Sequence, residues 1–167
     1  MDGIEVTDYV DVRRQAESRG LCLTSELVLL PRGFEAIASG AELAHEAEAA
    51  TVHKLLKAAG IDAQLLQHPD RRVPSVVERS AAWIAPTVFV GSMLLTQSPH
   101  AIQIALNVIS SYITDILKAR NLPDTVKLTV VIEETKSKRC RRVEYEGSAY
   151  KLKELAEVLN ALQNDSR

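Results

Sequence analysis

Aromatic residues are scarce in this chain: Phe, Trp and Tyr together make up 4% of 167 residues. A core without many large rings is filled by Leu, Ile, Val and Ala, which suits helices packed on a sheet. An excess of one charge is also missing. Lys+Arg number 20 and Asp+Glu 22, a formal charge of −2, so nothing global pulls the chain toward nucleic acid or an anionic membrane. The two cysteines, Cys22 and Cys140, are far apart and form no CxxC pair. The first residues are acidic and carry no apolar leader, so two reduced thiols in a cytoplasm are expected. No run is apolar enough to span a bilayer. The best stretch, residues 101–117, is interrupted by Gln103, Asn107, Ser110, Ser111, Thr114 and Asp115. The seven glycines form neither a GxGxxG nor a GxxxxGK loop, and no GxSxG elbow exists.

What is present is ordinary for a globular chain, 46% hydrophobic and 25% charged. The length suits one α/β domain over residues 1–167, with Asn121-Leu122-Pro123-Asp124 as the one polar break where it could subdivide. We expect a layered arrangement of about five strands and four to five helices. Residues 8–20 predict a short polar helix stopped at Gly20, and residues 21–30 a strand ended by Pro31 and Gly33. Leu43, Ala47, Ala50, Leu55, Leu56 and Ala59 predict a helix over 41–59, with Gly60 as its stop. A strand over 61–67 and a helix over 73–84 follow, then a buried strand over 87–95.

Ser98-Pro99 opens the longest helix, with Ser98 as N-cap and Pro99 in the first turn. Its polar residues, Gln103, Asn107, Ser110, Thr114 and Lys118, fall on one narrow stripe. So wide an apolar arc is expected to pack centrally on the sheet and to need a second cover. That surplus, with the stripe of the closing helix and Ile4, Val6, Tyr9, Val10 and Val12 near the N-terminus, predicts a two-fold homodimer; the alternative is a compact monomer in which the N-terminal segment or the 73–84 helix folds over the same face. Residues 126–147 read as an antiparallel hairpin with a charged tip, and Ser148 caps a closing helix striped by Leu152, Leu155, Ala156, Leu159 and Leu162.

Three places carry residues capable of chemistry. On the helix predicted over 41–59, Glu42, His45 and Glu46 fall at i, i+3 and i+4, the arithmetic of a carboxylate–histidine metal site. No matching Glu-x-x-His lies elsewhere, so a solvated acidic face is the simpler reading, and no metal or cofactor is expected. The loop at 68–72 ends in Arg71-Arg72, a pair suited to a phosphate but more often exposed. The hairpin tip holds five basic residues in seven: Lys136, Lys138, Arg139, Arg141 and Arg142. These are the candidates for gripping an acidic partner or a phosphate backbone. The simpler alternative is a charged hairpin that protects a sheet edge. Aromatics apart from Tyr145 are missing there, so nucleic acid is the less favoured partner. Cys22 has no protease signature around it and reads as a small core residue.

Two stretches resemble known families. Residues 27–95 run strand, helix, strand, helix, then Ala85-Pro86-Thr87-Val88-Phe89-Val90-Gly91. This order resembles a thioredoxin or glutaredoxin fold, which places Pro86 where that family has a cis-proline. The family's dithiol would lie near residues 31–35, where this chain has no cysteine, so its redox activity is not implied. Residues 98–162, with Val143-Glu144-Tyr145-Glu146-Gly147 before the last helix, resemble the small effector-associated component of bacterial conflict systems. That resemblance implies an accessory role in antiviral defence and names no functional residue. Since each site of chemistry is incomplete, we expect a non-enzymatic interaction or regulatory module with a protein partner. The alternative is a small-ligand sensor or enzyme with a nucleotide or metal site near 42–53 or 68–72.

Overall fold

The computed structural model describes residues 3–36, 44–67, 75–76 and 83–165. Strands are β1 (Gly3–Tyr9), β2 (Leu27–Leu30), β3 (His45–Glu46), β4 (Ala63–Leu65), β5 (Ser75–Val76), β6 (Trp83–Ile84), β7 (Thr87–Val90), β8 (Val126–Glu133) and β9 (Cys140–Gly147). Helices are α1 (Val12–Ser18), α2 (Ala49–Ala58), α3 (Ser92–Gln97), α4 (Pro99–Ala119) and α5 (Leu155–Asp165), with 3-10 turns at Phe34–Ala36 and Ala149–Glu154.

The chain is α/β, as its composition implies. One mixed sheet has the order β1-β9-β8-β7-β2-β4, and β6 pairs beside β8. β7 is parallel to β8 and β2 is parallel to β4, while the other neighbours on that path are antiparallel. Every residue of β2 is buried, because helices cover that part of the sheet on both sides. One face packs on α2, α4, the Ala149–Glu154 turn and α5 through Leu29, Val88, Val130, Val143, Ile109, Ile113, Leu152 and Leu159. The other packs on α1 and the Phe34 turn through Val28, Phe89, Val131, Val12, Ala16 and Phe34. This second cover reaches Tyr9 at the end of β1 but stops short of the start of β1 and the far half of β9. There Glu5, Glu144 and Glu146 stand exposed on an open sheet face.

α4 forms where expected. Pro99 sits at its first turn, but the Ser98 side chain makes no capping bond. Its C-terminus closes with Asn121 at φ 53°. Asn121 N–H donates to Lys118 O (3.2 Å) and Leu122 N–H to Leu117 O (2.9 Å), a Schellman pair. Ile102, Ala105, Leu106, Ile109, Ile113 and Leu117 are buried against the sheet, with α2 and α3 and, from the far end of the chain, α5 and the 149–154 turn also in contact. The wide apolar arc is thus covered within one chain, and the excess from which a dimer through α4 was expected is largely absorbed. Even Ser110 from the polar stripe is buried, its hydroxyl donating to Ala149 O at 2.8 Å. Leu117 and Val126, on either side of the 121–124 break, share one core.

Several local expectations are corrected. The helix predicted over 41–59 begins only at Ala49. His45 and Glu46 form β3, paired in parallel with Ser75 and Val76, so pairing with a distant segment overrides alanine-rich helix propensity. Residues 75–76 and 83–84, placed in a helix by the sequence, are strands, and the rest of that predicted helix lies outside the described residues. The strand predicted over 87–95 ends at Val90 and turns into α3, since a short apolar run fits either structure. The strands over 21–30 and 61–67 contract to β2 and β4. The polar helix expected over 8–20 forms as α1 at Val12–Ser18, with Gly20 at φ 73° after it, but starts later because Gly3–Tyr9, for which no element was expected, form β1. β8–β9 is an antiparallel hairpin, but β9 also pairs with β1. The charged hairpin therefore does not form the sheet edge. Nine strands are described where about five were expected. Cys22 is exposed, whereas Cys140 is in the core. No peptide bond among the described residues is cis.

Candidate functional site

The parallel pair β7–β8 ends at one side of the sheet, and the two strands are joined by α3 and α4. In an open α/β sheet the crevice beyond such carboxyl ends is the ordinary place for a ligand. β2 runs antiparallel to β7, with Leu27 opposite Val90, so the residue preceding β2, Glu26, arrives at the same end. Arg13 projects there from α1, whose first turn is capped by Asp11 accepting from Arg14 N–H (3.2 Å). An open depression of about 600 Å³ lies here, lined in part by Arg13, Glu26, Ser92, Glu133 and Lys138.

Glu133, the last residue of β8, is 3% exposed. Its Oε2 accepts from Arg13 Nε at 2.8 Å and its Oε1 from Arg13 Nη2 at 3.3 Å. Oε1 also accepts from the backbone N–H of Ser92 at 3.1 Å. Arg13 Nη2 bonds Glu26 Oε2 at 2.9 Å, and the guanidinium lies 5.7 Å from the centre of the Phe89 ring. Burial pushes the Glu133 carboxyl up, but the bonds from Arg13 and Ser92 outweigh it and hold the group below its usual range. Arg13 is raised in turn, chiefly by its bond to Glu133. Gly91 makes room for this arrangement. A Cβ there would fall 1.5 Å from Glu26 Oε2 and 2.9 Å from Arg13 Nη2.

Lys138 reaches in from the hairpin tip, its Nζ donating to Ser92 Oγ at 2.7 Å. A serine and a lysine at that distance after a strand-to-helix turn have the spacing of a nucleophile and its base. Such a pair needs a hydroxyl that a substrate can reach. Ser92 is 2% exposed, its hydroxyl faces Lys138 and its N–H faces Glu133. The arrangement is an ionic tie between α1, β2, β8, α3 and the tip, in which the chain's own carboxylate occupies the place of an anionic ligand.

The residues singled out from sequence lie elsewhere. Glu42, Arg71 and Arg72 fall outside the described residues. His45 is 3% exposed, with Nε2–H donating to Leu66 O at 2.8 Å. Burial lowers its pKa. Its Nδ1 is buried and has no hydrogen-bond partner. Glu46 pairs with Arg32 Nε at 3.2 Å, and burial raises its pKa despite that charge. His45 and Glu46 are neighbours on a strand and face opposite ways, so the shared helical face is not formed. Among the described residues no group of three metal-ligand side chains exists.

The basic tip is dispersed. Lys138 is committed to Ser92, and exposed Arg139 pairs with Asp8 at 3.5 Å. Arg141 lies 3.9 Å from Glu134 on one sheet face. On the opposite face Arg142 donates to Thr7 Oγ1 at 3.2 Å and lies 3.8 Å from Glu144. Lys136 projects as an exposed cation, and Arg139 stays exposed beside Asp8.

Sequence reasoning passed over Arg13, Glu26, Ser92 and Glu133. They lie in four separate segments, and the only local trace is Gly91-Ser92 after an apolar strand. No helix among the described residues is long and apolar enough to cross a membrane. Comparison of the chain with protein-family models, with curated proteins and with solved structures finds no match.

Proposed function

We propose that this protein is a non-enzymatic interaction module that meets a protein partner through the projecting cations of the β8–β9 tip. One observation carries the reading: in the depression at the carboxyl ends of β7 and β8 the anion-binding groups, Arg13 and the Ser92 N–H, are already engaged by Glu133. A fold that spends its ordinary ligand site on an internal ion pair has its remaining recognition chemistry on the surface, where Lys136 and Arg139 are exposed. These suit an acidic protein surface. The resemblance of residues 98–162 to effector-associated components supports a partner among bacterial defence effectors, and a cytoplasmic two-fold dimer belongs to the same proposal.

Two measurements test it. A thermal-shift screen with divalent metals, nucleotides and inorganic phosphate is expected to leave the melting point unchanged. A ligand at a hundred times its dissociation constant would add about 2.7 kcal/mol, and such a shift overturns the reading in favour of a small-ligand sensor. In parallel, the immobilised chain is expected to retain a partner from its own host's extract, and Lys136→Glu/Arg139→Glu to lose it. Equal retention by both removes the tip from the proposal.

A further inference from the structure

The outer edge of β1 points to self-association. β1 pairs with β9 in seven consecutive positions, from Gly3 opposite Glu146 to Tyr9 opposite Cys140, without a bulge. Among the described residues nothing pairs its other edge. Edge strands are normally kept from pairing by being short, by charged side chains (lysine above all), by proline or by a bulge. The opposite edge, β4, is three residues long. β1 carries of these only the acidic Glu5 and Asp8: it is long, regular, and free of lysine and proline, and it exposes Ile4 to 47%.

We propose that the occupant of this edge is β1 of a second copy, running antiparallel across a two-fold axis perpendicular to the sheet. The geometry selects the register. Under that axis each residue opposes one on the same sheet face, so the axis passes through a single residue. With Glu5 on the axis, Glu5 opposes its own copy, a like-charge pair that costs stability. With Thr7 on the axis, only five of the seven positions find partners. With Val6 on the axis all seven pair. Val6 then meets Val6, Ile4 meets Asp8, Glu5 meets Thr7, and Gly3 meets Tyr9. No two like charges stand directly opposite. The six-strand path becomes a continuous sheet through two chains, with the two-fold contact at β1 rather than at α4. The interface is small, and a dissociation constant of roughly micromolar order fits its class. It rests on the two-fold dimer of the proposed function and gives that dimer its place; the contact lies apart from the one proposed at the tip, so the tip contact can fail without it.

The test uses the full chain in a Cys22→Ser background, since Cys140 is buried. Light scattering from low to high micromolar concentration is expected to move from the chain's 18.4 kDa toward twice that mass. Val6→Cys places two thiols across the axis, where opposed Cα atoms of antiparallel strands lie about 4.5–5.5 Å apart, within disulfide reach. Mild oxidation is expected to cross-link Val6→Cys at least several-fold faster than Glu5→Cys or Thr7→Cys, each variant first checked for native circular dichroism. A mass fixed at that of one chain overturns the proposal. So does a doubled mass in which Val6→Cys cross-links no faster than its neighbours, because the contact then lies on another surface.

Discussion

Replacing Arg13 by methionine keeps an apolar stem over Phe89 and removes the two hydrogen bonds that hold Glu133 ionised. The Glu133 side chain is 4% exposed and Arg13 38%. Breaking a fully buried pair costs about 3–5 kcal/mol, because the surviving charge is stranded. Here the arginine is more than one-third exposed and water can enter its place, so solvent screening reduces the loss to about 2 kcal/mol. The melting point of a chain this size would fall by about 4–8 °C. Urea unfolding at pH 7, read as a shift in midpoint at constant slope, measures it. The pH dependence is the sharper check. In the parent chain Glu133 has a lowered pKa, so its stabilisation is present above the unfolded carboxyl value and is lost as pH falls through the lowered folded one. Without Arg13 burial dominates and the carboxyl rises, so the deficit of Arg13→Met is largest near neutrality and shrinks on acidification. The companion Arg13→Met/Glu133→Leu removes both charges and is expected to recover part of the loss, short of the Ser92 N–H left without its acceptor. A deficit under about 0.5 kcal/mol at pH 7, or one that is flat with pH, would refute the view that Arg13 holds Glu133 ionised in the fold.

Other outcomes follow from the same geometry. Asp124 accepts from Ala149 N–H (3.1 Å) and Ser148 Oγ–H (2.7 Å), doing the capping expected of Ser148; Asp124→Ala should cost about 1 kcal/mol in urea unfolding, and Ser148→Ala less. His45 is buried with a lowered pKa, so its contribution is complete above the unfolded histidine value and is lost as pH falls through the lowered folded value; His45→Gln should flatten the stability profile in that window, and an unchanged profile would count against a buried neutral ring. Burial pushes the Cys140 thiol up to about 11, so a thiol reagent at pH 8 should titrate one group, Cys22, in the native chain and two in denaturant.

Much of this fold is legible in the amino-acid order where local pattern and tertiary outcome agree. α4 is announced by Pro99 and by apolar residues at helical spacing, and the β8–β9 hairpin by alternation such as Val126-Lys127-Leu128 and Val143-Glu144-Tyr145 around a charged turn. These signals are local, because helix and hairpin form their hydrogen bonds between residues near in sequence. His45 and Glu46 were misread because their strand depends on Ser75 and Val76. The turn at Gly91 was missed because an apolar run does not say where it bends.

The candidate site was hidden for the same reason on a longer scale. Arg13 and Glu133 lie 120 positions apart, and each is individually an unremarkable surface-type residue. The sequence by itself determined the α/β class, the long buried helix, the hairpin and the absence of any standard catalytic motif, all of which rest on composition and short-range periodicity. Only the tertiary structure decided that β1 joins the C-terminal hairpin, that one chain covers most of α4's apolar arc, and that Glu133 meets Arg13 in the depression at the ends of β7 and β8. Those outcomes depend on which distant segments lie side by side, and pairing of strands and burial of charge leave no periodic trace in either partner.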